Sequence, residues 1–111
     1  MNSRRELLKG STDSLLLCLM NSQPMYGYQI IKELEKKSKG FFQFREGTLY
    51  PALHRLEKMG LIKGKWEKLS GGQERRYYYI TGKGQEALNE RLAIWRGFSE
   101  AVNLVMIPSN L

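Results

Sequence analysis

The sequence has little of the side-chain chemistry that enzymes and metalloproteins use, with one cysteine and one histidine among its 111 residues. A single cysteine cannot form an internal disulfide. Cys18 lies inside an apolar run, so we expect a buried thiol rather than a redox sensor. The sequence gives no basis for placing the cysteine beside the histidine. It therefore predicts neither a catalytic triad nor a cluster of His and Cys metal ligands. We therefore expect a protein that is not an enzyme and that uses no metal or cofactor.

Long hydrophobic runs are also absent. The longest strongly apolar stretch, residues 15–20, is far shorter than the roughly 20 residues that span a bilayer as a helix. The basic amino terminus followed by this stretch has the outline of a secretory signal. However, Glu6, Lys9 and Asp13 interrupt it and no small-residue cleavage site follows. The sequence therefore predicts a cytoplasmic protein that does not enter a membrane.

Acidic residues are few relative to basic ones: 18 Lys and Arg stand against 11 Asp and Glu, for a formal net charge of +7. Such an excess favours a polyanionic partner, either nucleic acid or an anionic membrane surface. Composition alone leaves a soluble domain with surplus lysine as the alternative. The length fits one domain with a modest core, so a long apolar face left over must find a partner.

Hydrophobic spacing predicts three helices in the first half of the chain, at residues 5–21, 26–38 and 46–59. The predicted buried stripes are Ile30, Ile31 and Leu34 in the second helix and Leu49, Leu53 and Leu56 in the third. Arg45 is a poor N-cap for the third helix because it offers no short acceptor, and Pro51 removes a helical hydrogen bond. Both features suggest that this helix start is not built for stability alone.

A β-hairpin is predicted next, with strands at residues 62–69 and 74–80 around a turn of sequence SGGQ. Thr81 is a suitable N-cap for a last helix that runs to about Met106. The fold class is therefore mainly α with a small β-hairpin.

This order of elements is that of a winged helix-turn-helix followed by a long carboxy-terminal helix. In such a fold the third helix enters the major groove and the hairpin wing lies along the DNA backbone. The exposed face of the third helix carries polar, basic or flat side chains: Thr48, Tyr50, Pro51, His54, Arg55 and Lys58. The first four suit contacts to phosphates and base edges. The alternative is a polar face that is merely solvated.

The predicted wing is basic, with five basic and two acidic residues between positions 63 and 76. Arg75 and Arg76 stand beside a glycine tip whose backbone can approach a phosphate, and charge-assisted contacts there make affinity salt-dependent. The tyrosines at 77–79 could form a base-stacking platform. We favour the alternative, in which alternate tyrosines pack the wing onto the core.

Several motifs of the chain resemble the PadR family of bacterial transcriptional regulators, in particular its short subgroup with a single carboxy-terminal helix. They are MYGYQI at 25–30, EGTLYPALHRLE at 46–57, GLI at 60–62, GG at 71–72 and RRYY at 75–78. The resemblance implies a homodimeric repressor that binds operator DNA with both wings and both recognition helices. Arg45, Gly82 and Gly84 depart from the family pattern, which leaves helix boundaries open but not the function.

Together these arguments define an expected DNA-binding domain at residues 1–80 and a dimerisation helix at 81–111, forming one compact unit. The partners expected are double-stranded DNA, at a roughly palindromic operator, and a second copy of the chain. The residues predicted to contact DNA are Tyr26, Thr48, Tyr50, Pro51, His54, Lys65, Gln73, Arg75 and Arg76.

The last helix carries a heptad-like seam that favours dimerisation. The residues predicted at the interface are Leu88, Leu92, Trp95, Phe98, Val102 and Met106. The resemblance to drug-sensing members further implies that Trp95 stacks on a small planar aromatic effector, in a space lined by Ser99, Ser14 and Leu7. The alternative for Trp95 is plain packing in the interface. The alternative for the whole protein is a basic interaction module that binds an acidic protein.

Overall fold

The computed structural model describes the backbone of residues 3–108 and the side chains of residues 11–108. In chain order its elements are α1 (Ser3–Ser22), β1 (Met25–Tyr26), α2 (Gly27–Lys37), α3 (Glu46–Lys58), β2 (Ile62–Lys68), β3 (Glu74–Ile80) and α4 (Gly82–Met106). Three helices, a hairpin and a long last helix confirm the predicted mainly α winged helix-turn-helix.

The sheet has one strand more than the predicted hairpin. Met25 pairs with Tyr78 and Tyr26 with Tyr77, so β1 extends an antiparallel sheet of order β1-β3-β2. The backbone of Tyr26 is extended, with φ −93° and ψ 166°, and α2 therefore begins one residue later than predicted. This short pairing ties the start of α2 directly to the wing.

The core lies where α1, α2 and α3 meet the sheet. Its largest fully buried side chains are Leu16, Leu17, Met25, Ile30, Leu49, Leu53, Leu56 and Ile62. The predicted stripe of α3 is thus confirmed, while in α2 Ile30 and Leu34 are buried and Ile31 only partly so. Burial of a leucine contributes about 1.5–3 kcal/mol, so the three leucines of α3 fix which face of that helix stays open.

Cys18 lies on the outside of α1, which corrects the prediction of a buried thiol. Its neighbours Leu16, Leu17, Leu19 and Met20 are all in the core. Because a helix turns by 3.6 residues, one position within such a run points away from the other four. Partial desolvation by nearby side chains still raises the pKa of the Cys18 thiol, which keeps it protonated at neutral pH.

The amino-terminal half of α4 lies on the core. Thr81 caps it as predicted, since its Oγ1 accepts from the Gly84 N–H at 3.0 Å and donates to the Gly60 carbonyl at 2.7 Å. Leu88 is 2% exposed, and Leu92 packs against the same core. The assignment of Leu88 to a dimer seam is thereby corrected, because its own protomer already covers it.

Although α4 is 25 residues long, neither it nor another helix in the described part of the chain is apolar enough to cross a membrane.

Gly84→Ala should destabilise the fold, because a Cβ there would overlap the backbone carbonyl of Leu61 and lie 2.8 Å from Cγ1 of Ile80. A backbone atom cannot move aside cheaply, and we expect a loss of about 1–3 kcal/mol. The matched control is Gly82→Ala, whose Cβ meets no atom within 4 Å. It should leave the free energy of unfolding unchanged or raise it by up to about 1 kcal/mol. Urea denaturation at one protein concentration measures both, and equal stability of the two variants would contradict this packing.

Candidate nucleic-acid interface

One side of α3 is buried and the other is open. The four residues of α3 predicted to contact DNA, Thr48, Tyr50, Pro51 and His54, are all exposed. The buried side holds the helix against α1 and α2 through its leucines. The structure thus leaves the predicted recognition residues available to a partner.

The amino end of α3 has no side-chain cap, as predicted from Arg45. The N–H groups of Thr48 and Leu49 donate to the Arg45 carbonyl at 3.0 and 2.9 Å. Pro51 lies inside the helix and removes the N–H that would otherwise bond to Gly47. The first N–H groups of α3 therefore have no capping side chain, and the negative charge at the positive end of the helix dipole comes from Glu46 in the first turn.

Tyr50 is held in place by the start of α2. A Cβ on Gly27 would overlap the Tyr50 hydroxyl oxygen and come within 2.7 Å of its Cζ. A larger residue at position 27 would force the Tyr50 ring to shift. The exposed Tyr50 of α3 therefore packs directly on the start of α2.

Arg55 joins α3 to α1. Its Nη2 donates to Oδ1 of Asp13 at 2.6 Å, and this hydrogen bond raises the pKa of the guanidinium. The Arg55 side chain remains 53% exposed, so the pair contributes at most about 1 kcal/mol to stability.

The wing tip is a tight turn closed by backbone hydrogen bonds. The Leu69 N–H donates to the Gln73 carbonyl at 2.7 Å, and the Gly72 N–H to the Leu69 carbonyl at 2.9 Å. Gly72 has φ +86°, a conformation that favours glycine. The turn leaves the side chain of Gln73 exposed.

The two wing arginines lie on opposite faces of the hairpin, because side chains alternate along a strand. Arg75 faces the same way as its cross-strand neighbour Glu67, and its Cζ lies 4.3 Å from the centre of the Tyr26 ring. Tyr26 in turn packs edge-on against Tyr77 at 5.5 Å. Among the described side chains, Arg75 has no carboxylate within ion-pair distance.

Arg76 is instead bound within the molecule. Its Nη2 donates to Oε2 of Glu57 at 2.7 Å, and this bond raises the pKa of the guanidinium. The Arg76 Cζ lies 5.8 Å from the ring centres of both Trp66 and Tyr78. Sequence reasoning identified both arginines but missed Glu57. The one signal for this pair was the alternation of β3, which points Arg76 toward the helices.

An open cleft of about 270 Å³ separates α3 from the wing. It is lined by Tyr26, Gly27, Tyr50, Trp66, Glu74, Arg75, Arg76 and Tyr78. Four of the predicted DNA-contacting residues therefore meet here: Tyr26, Tyr50, Arg75 and Arg76. Thr48, Pro51 and His54 lie elsewhere on α3, and Lys65 and Gln73 elsewhere on the wing.

The three wing tyrosines all have partners in the protein. Tyr78 is buried in the core, and this burial raises its pKa. The Tyr79 hydroxyl donates to Glu67, which raises the pKa of Tyr79, and Lys65 Nζ lies 5.4 Å from the same ring. Only Tyr78 packs the wing onto the core, so the prediction that alternate tyrosines do so holds for one of them.

The residues predicted for an effector lie on α1 and α4, away from the cleft. Trp95 is 57% exposed and its ring lies 5.8 Å from that of Phe98. Ser99 donates to the Arg96 carbonyl at 3.2 Å, and Ser14 is partly buried on α1. The side chain of Leu7 lies outside the described residues. In the described range, no three His, Cys, Asp or Glu side chains are placed to hold a metal ion.

The chain was compared with known families and structures. The model of the Transcriptional regulator PadR-like family matches residues 16–90, more than half of the chain. A PadR-like transcriptional regulator from Bacillus cereus has a similar structure, with a TM-score of 0.83 and 36% identity, covering 94% of this chain and 99% of that one. A protein of Lysinibacillus sphaericus is 35% identical over 103 residues, 93% of this chain and 94% of that one.

PadR of Bacillus subtilis, whose crystal structure contains operator DNA, has the same fold at a TM-score of 0.67 and 22% identity. The match covers 73% of this chain and 46% of that one. The family match confirms the predicted resemblance to the PadR family, while the short subgroup stays a prediction. Because the family consists of transcriptional regulators, it also agrees with the prediction that the chain is not an enzyme.

Proposed function

The chain belongs to the PadR-like family of transcriptional regulators, and we propose that it is a bacterial repressor that binds palindromic operator DNA as a homodimer. Residues 1–80 contact the DNA and residues 81–111 hold the dimer together. The observation that carries the proposal is the open face of α3 beside the cleft under a basic wing. A protein of this kind works in the cytoplasm, at the nucleoid.

In the proposed complex α3 enters the major groove and the wing follows the backbone. His54 and Thr48 offer hydrogen-bonding groups to base edges or phosphates, while Tyr50 and Pro51 present flat surfaces to the groove wall. Lys65, Gln73 and Arg75 are available along the wing for phosphates. DNA binding by this fold is supported by PadR of B. subtilis, which shares the fold and whose structure contains operator DNA.

Arg75→Ala should weaken binding to every duplex tested and flatten the slope of log affinity against log salt by about one. The reason is that Arg75 has no carboxylate partner among the described side chains, so its charge is available to a phosphate and is lost in the variant. Lys37→Ala is the control, since Lys37 is an exposed cation at the far end of α2, and it should leave the slope unchanged. Fluorescence anisotropy of a labelled duplex at several salt concentrations measures both variants.

An Arg75→Ala slope equal to the wild-type slope would remove Arg75 from the phosphate contacts. Wild-type protein with no affinity for any duplex, or with affinity that salt does not change, would favour the alternative of a basic protein-interaction module.

The proposed dimer is supported by the uncovered half of α4. Beyond Leu92, large apolar side chains are exposed: Ile94, Trp95, Phe98, Leu104, Val105 and Met106. Leu104 and Val105 are 82% and 85% exposed. Apart from Leu104, these apolar side chains follow one face of the helix. An exposed apolar face of this kind is typical of an interface. The predicted seam of Leu92, Trp95, Phe98, Val102 and Met106 runs along it, and a second copy supplies a matching surface.

Phe98→Glu should dissociate the dimer, because it places a charge in the apolar surface of α4. Ala93→Glu is the matched control, since Ala93 is exposed on the opposite side of the helix. Light scattering after gel filtration should give twice the 12.9 kDa protomer mass for wild type and Ala93→Glu, and the protomer mass for Phe98→Glu. A dimeric Phe98→Glu variant would contradict an interface at this position.

We propose that a small planar aromatic effector releases the repressor by binding between the subunits at Trp95. An exposed indole beside Phe98 supports this proposal, because aromatic faces attract a flat ring strongly once water is excluded. Ser99, Ser14 and Leu7 complete the proposed site.

Trp95→Ala should lower the affinity of a planar cationic dye about tenfold or more, while Trp95→Phe, which keeps a ring, should lower it less. Dye fluorescence and light scattering on the same samples separate ligand loss from dimer loss. If the dye binds Trp95→Ala as well as wild type, Trp95 only packs the interface.

A further inference from the structure

We propose that Glu57 and Arg76 are positioning residues that fix the wing against α3, and that Arg76 is not a phosphate contact. This role rests on the proposed DNA binding for its functional readout, although the pair also has a readout without DNA. It assigns different functions to Arg75 and Arg76, which are adjacent in sequence and both basic.

The Glu57 carboxylate joins α3 to both strands of the hairpin. Its Oε2 accepts a hydrogen bond from Nη2 of Arg76 on β3 at 2.7 Å and another from the N–H of Gly64 on β2 at 3.3 Å. The side chains of Arg76 and Glu57 are 34% and 25% exposed. Water therefore screens this pair less than it screens a fully exposed ion pair.

The guanidinium of Arg76 is also fixed by two aromatic rings. It lies 5.8 Å from Tyr78, which belongs to the core, and 5.8 Å from Trp66, which lies directly across the hairpin and is 63% exposed. Both distances are within the range of a cation–π contact, which arginine makes more often than lysine. Arg76 thus connects the core, the outer part of the wing and α3.

Gly64 makes room for this arrangement. A Cβ at this position would come within 2.7 Å of Cζ and Nη2 of Arg76. The Arg76 side chain therefore crosses β2 over the one residue that has no side chain. A phosphate on the outer face of the wing would have to draw the guanidinium out of this space and away from the Glu57 carboxylate.

The sign of the effect of Glu57→Gln distinguishes the two roles for Arg76. The substitution adds one unit of positive net charge and weakens the bond between Arg76 and residue 57. If Arg76 contacts a phosphate, it is then more available for that contact. Binding would then tighten and the salt slope steepen by about one. If the pair positions the wing, affinity should instead fall about threefold to fivefold with an unchanged slope.

Gly64→Ala tests the same contact without a change in charge. The added methyl group should displace the guanidinium from Glu57 and reproduce the threefold to fivefold loss in affinity. Gly82→Ala is the control for adding a methyl group, because its Cβ meets open space outside the proposed interface. It should bind DNA as wild type does.

Conservative replacement of each arginine gives a third comparison. Arg75→Lys keeps the charge and should retain most of the affinity, since a phosphate contact needs mainly a cation. Arg76→Lys also keeps the charge but loses the planar stack and the guanidinium hydrogen bond. It should lose about as much affinity as Glu57→Gln, and the double variant Glu57→Gln/Arg76→Lys should lose little more than either single variant.

A measurement without DNA follows the wing itself. In a Trp95→Phe background Trp66 is the only tryptophan, because the chain has two. The fluorescence emission of Trp66 should change in each of the three variants that disturb the pair, Glu57→Gln, Gly64→Ala and Arg76→Lys. It should not change in Arg75→Lys. Circular dichroism establishes that each variant is folded.

Tighter binding or a steeper slope for Glu57→Gln, or an Arg76→Lys variant with wild-type affinity, would overturn the assignment. An unchanged Trp66 emission in all three disrupting variants would overturn it independently. If the wild-type protein does not bind DNA, the proposed function fails, and the Trp66 emission still decides whether the pair holds the wing.

Discussion

The contact that β3 makes with the helices determines how the wing sits beside α3. Alternation along this strand directs Tyr78 into the core and Arg76 onto Glu57 of α3, while Arg75 points the other way onto Tyr26. The hairpin is therefore attached to the recognition helix by both apolar burial and a hydrogen-bonded ion pair. A wing attached in this way would meet the proposed DNA partner at a defined distance from α3, which a free hairpin would not.

Close approaches at three glycines bring the elements into this arrangement. Gly27 lets Tyr50 of α3 lie on α2, Gly64 gives room to Arg76 between α3 and the wing, and Gly84 lets α4 reach the Leu61 carbonyl. At each of them a neighbouring group comes closer than a Cβ would allow. The Gly84 contact also explains a glycine in the first turn of α4, where helix propensity alone disfavours it.

Helical periodicity made much of this fold predictable from sequence. The spacing of Leu49, Leu53 and Leu56 fixed the buried side of α3, and Thr81 was recognisable as a cap because its hydroxyl serves an adjacent N–H. Contacts between distant residues were not predictable in this way. The strand at Tyr26 depends on Tyr77, and the Glu57–Arg76 pair depends on how the hairpin packs on α3.

Errors at Cys18 and Leu88 have a common origin. An apolar run and a heptad both indicate that a face is apolar, but not which neighbour covers it. In α1 the core takes the residues around Cys18 and leaves the thiol outside. In α4 the protomer's own core takes Leu88, and the exposed apolar surface begins only beyond Leu92.

The most direct test of DNA binding at this surface is an NMR titration of the nitrogen-15-labelled protein with duplex DNA. We expect the largest amide shift changes in the first half of α3 and at the wing tip, around residues 46–55 and 69–76, with small changes along the carboxy-terminal half of α4. Shift changes confined to α4, or none at saturating DNA, would contradict the account.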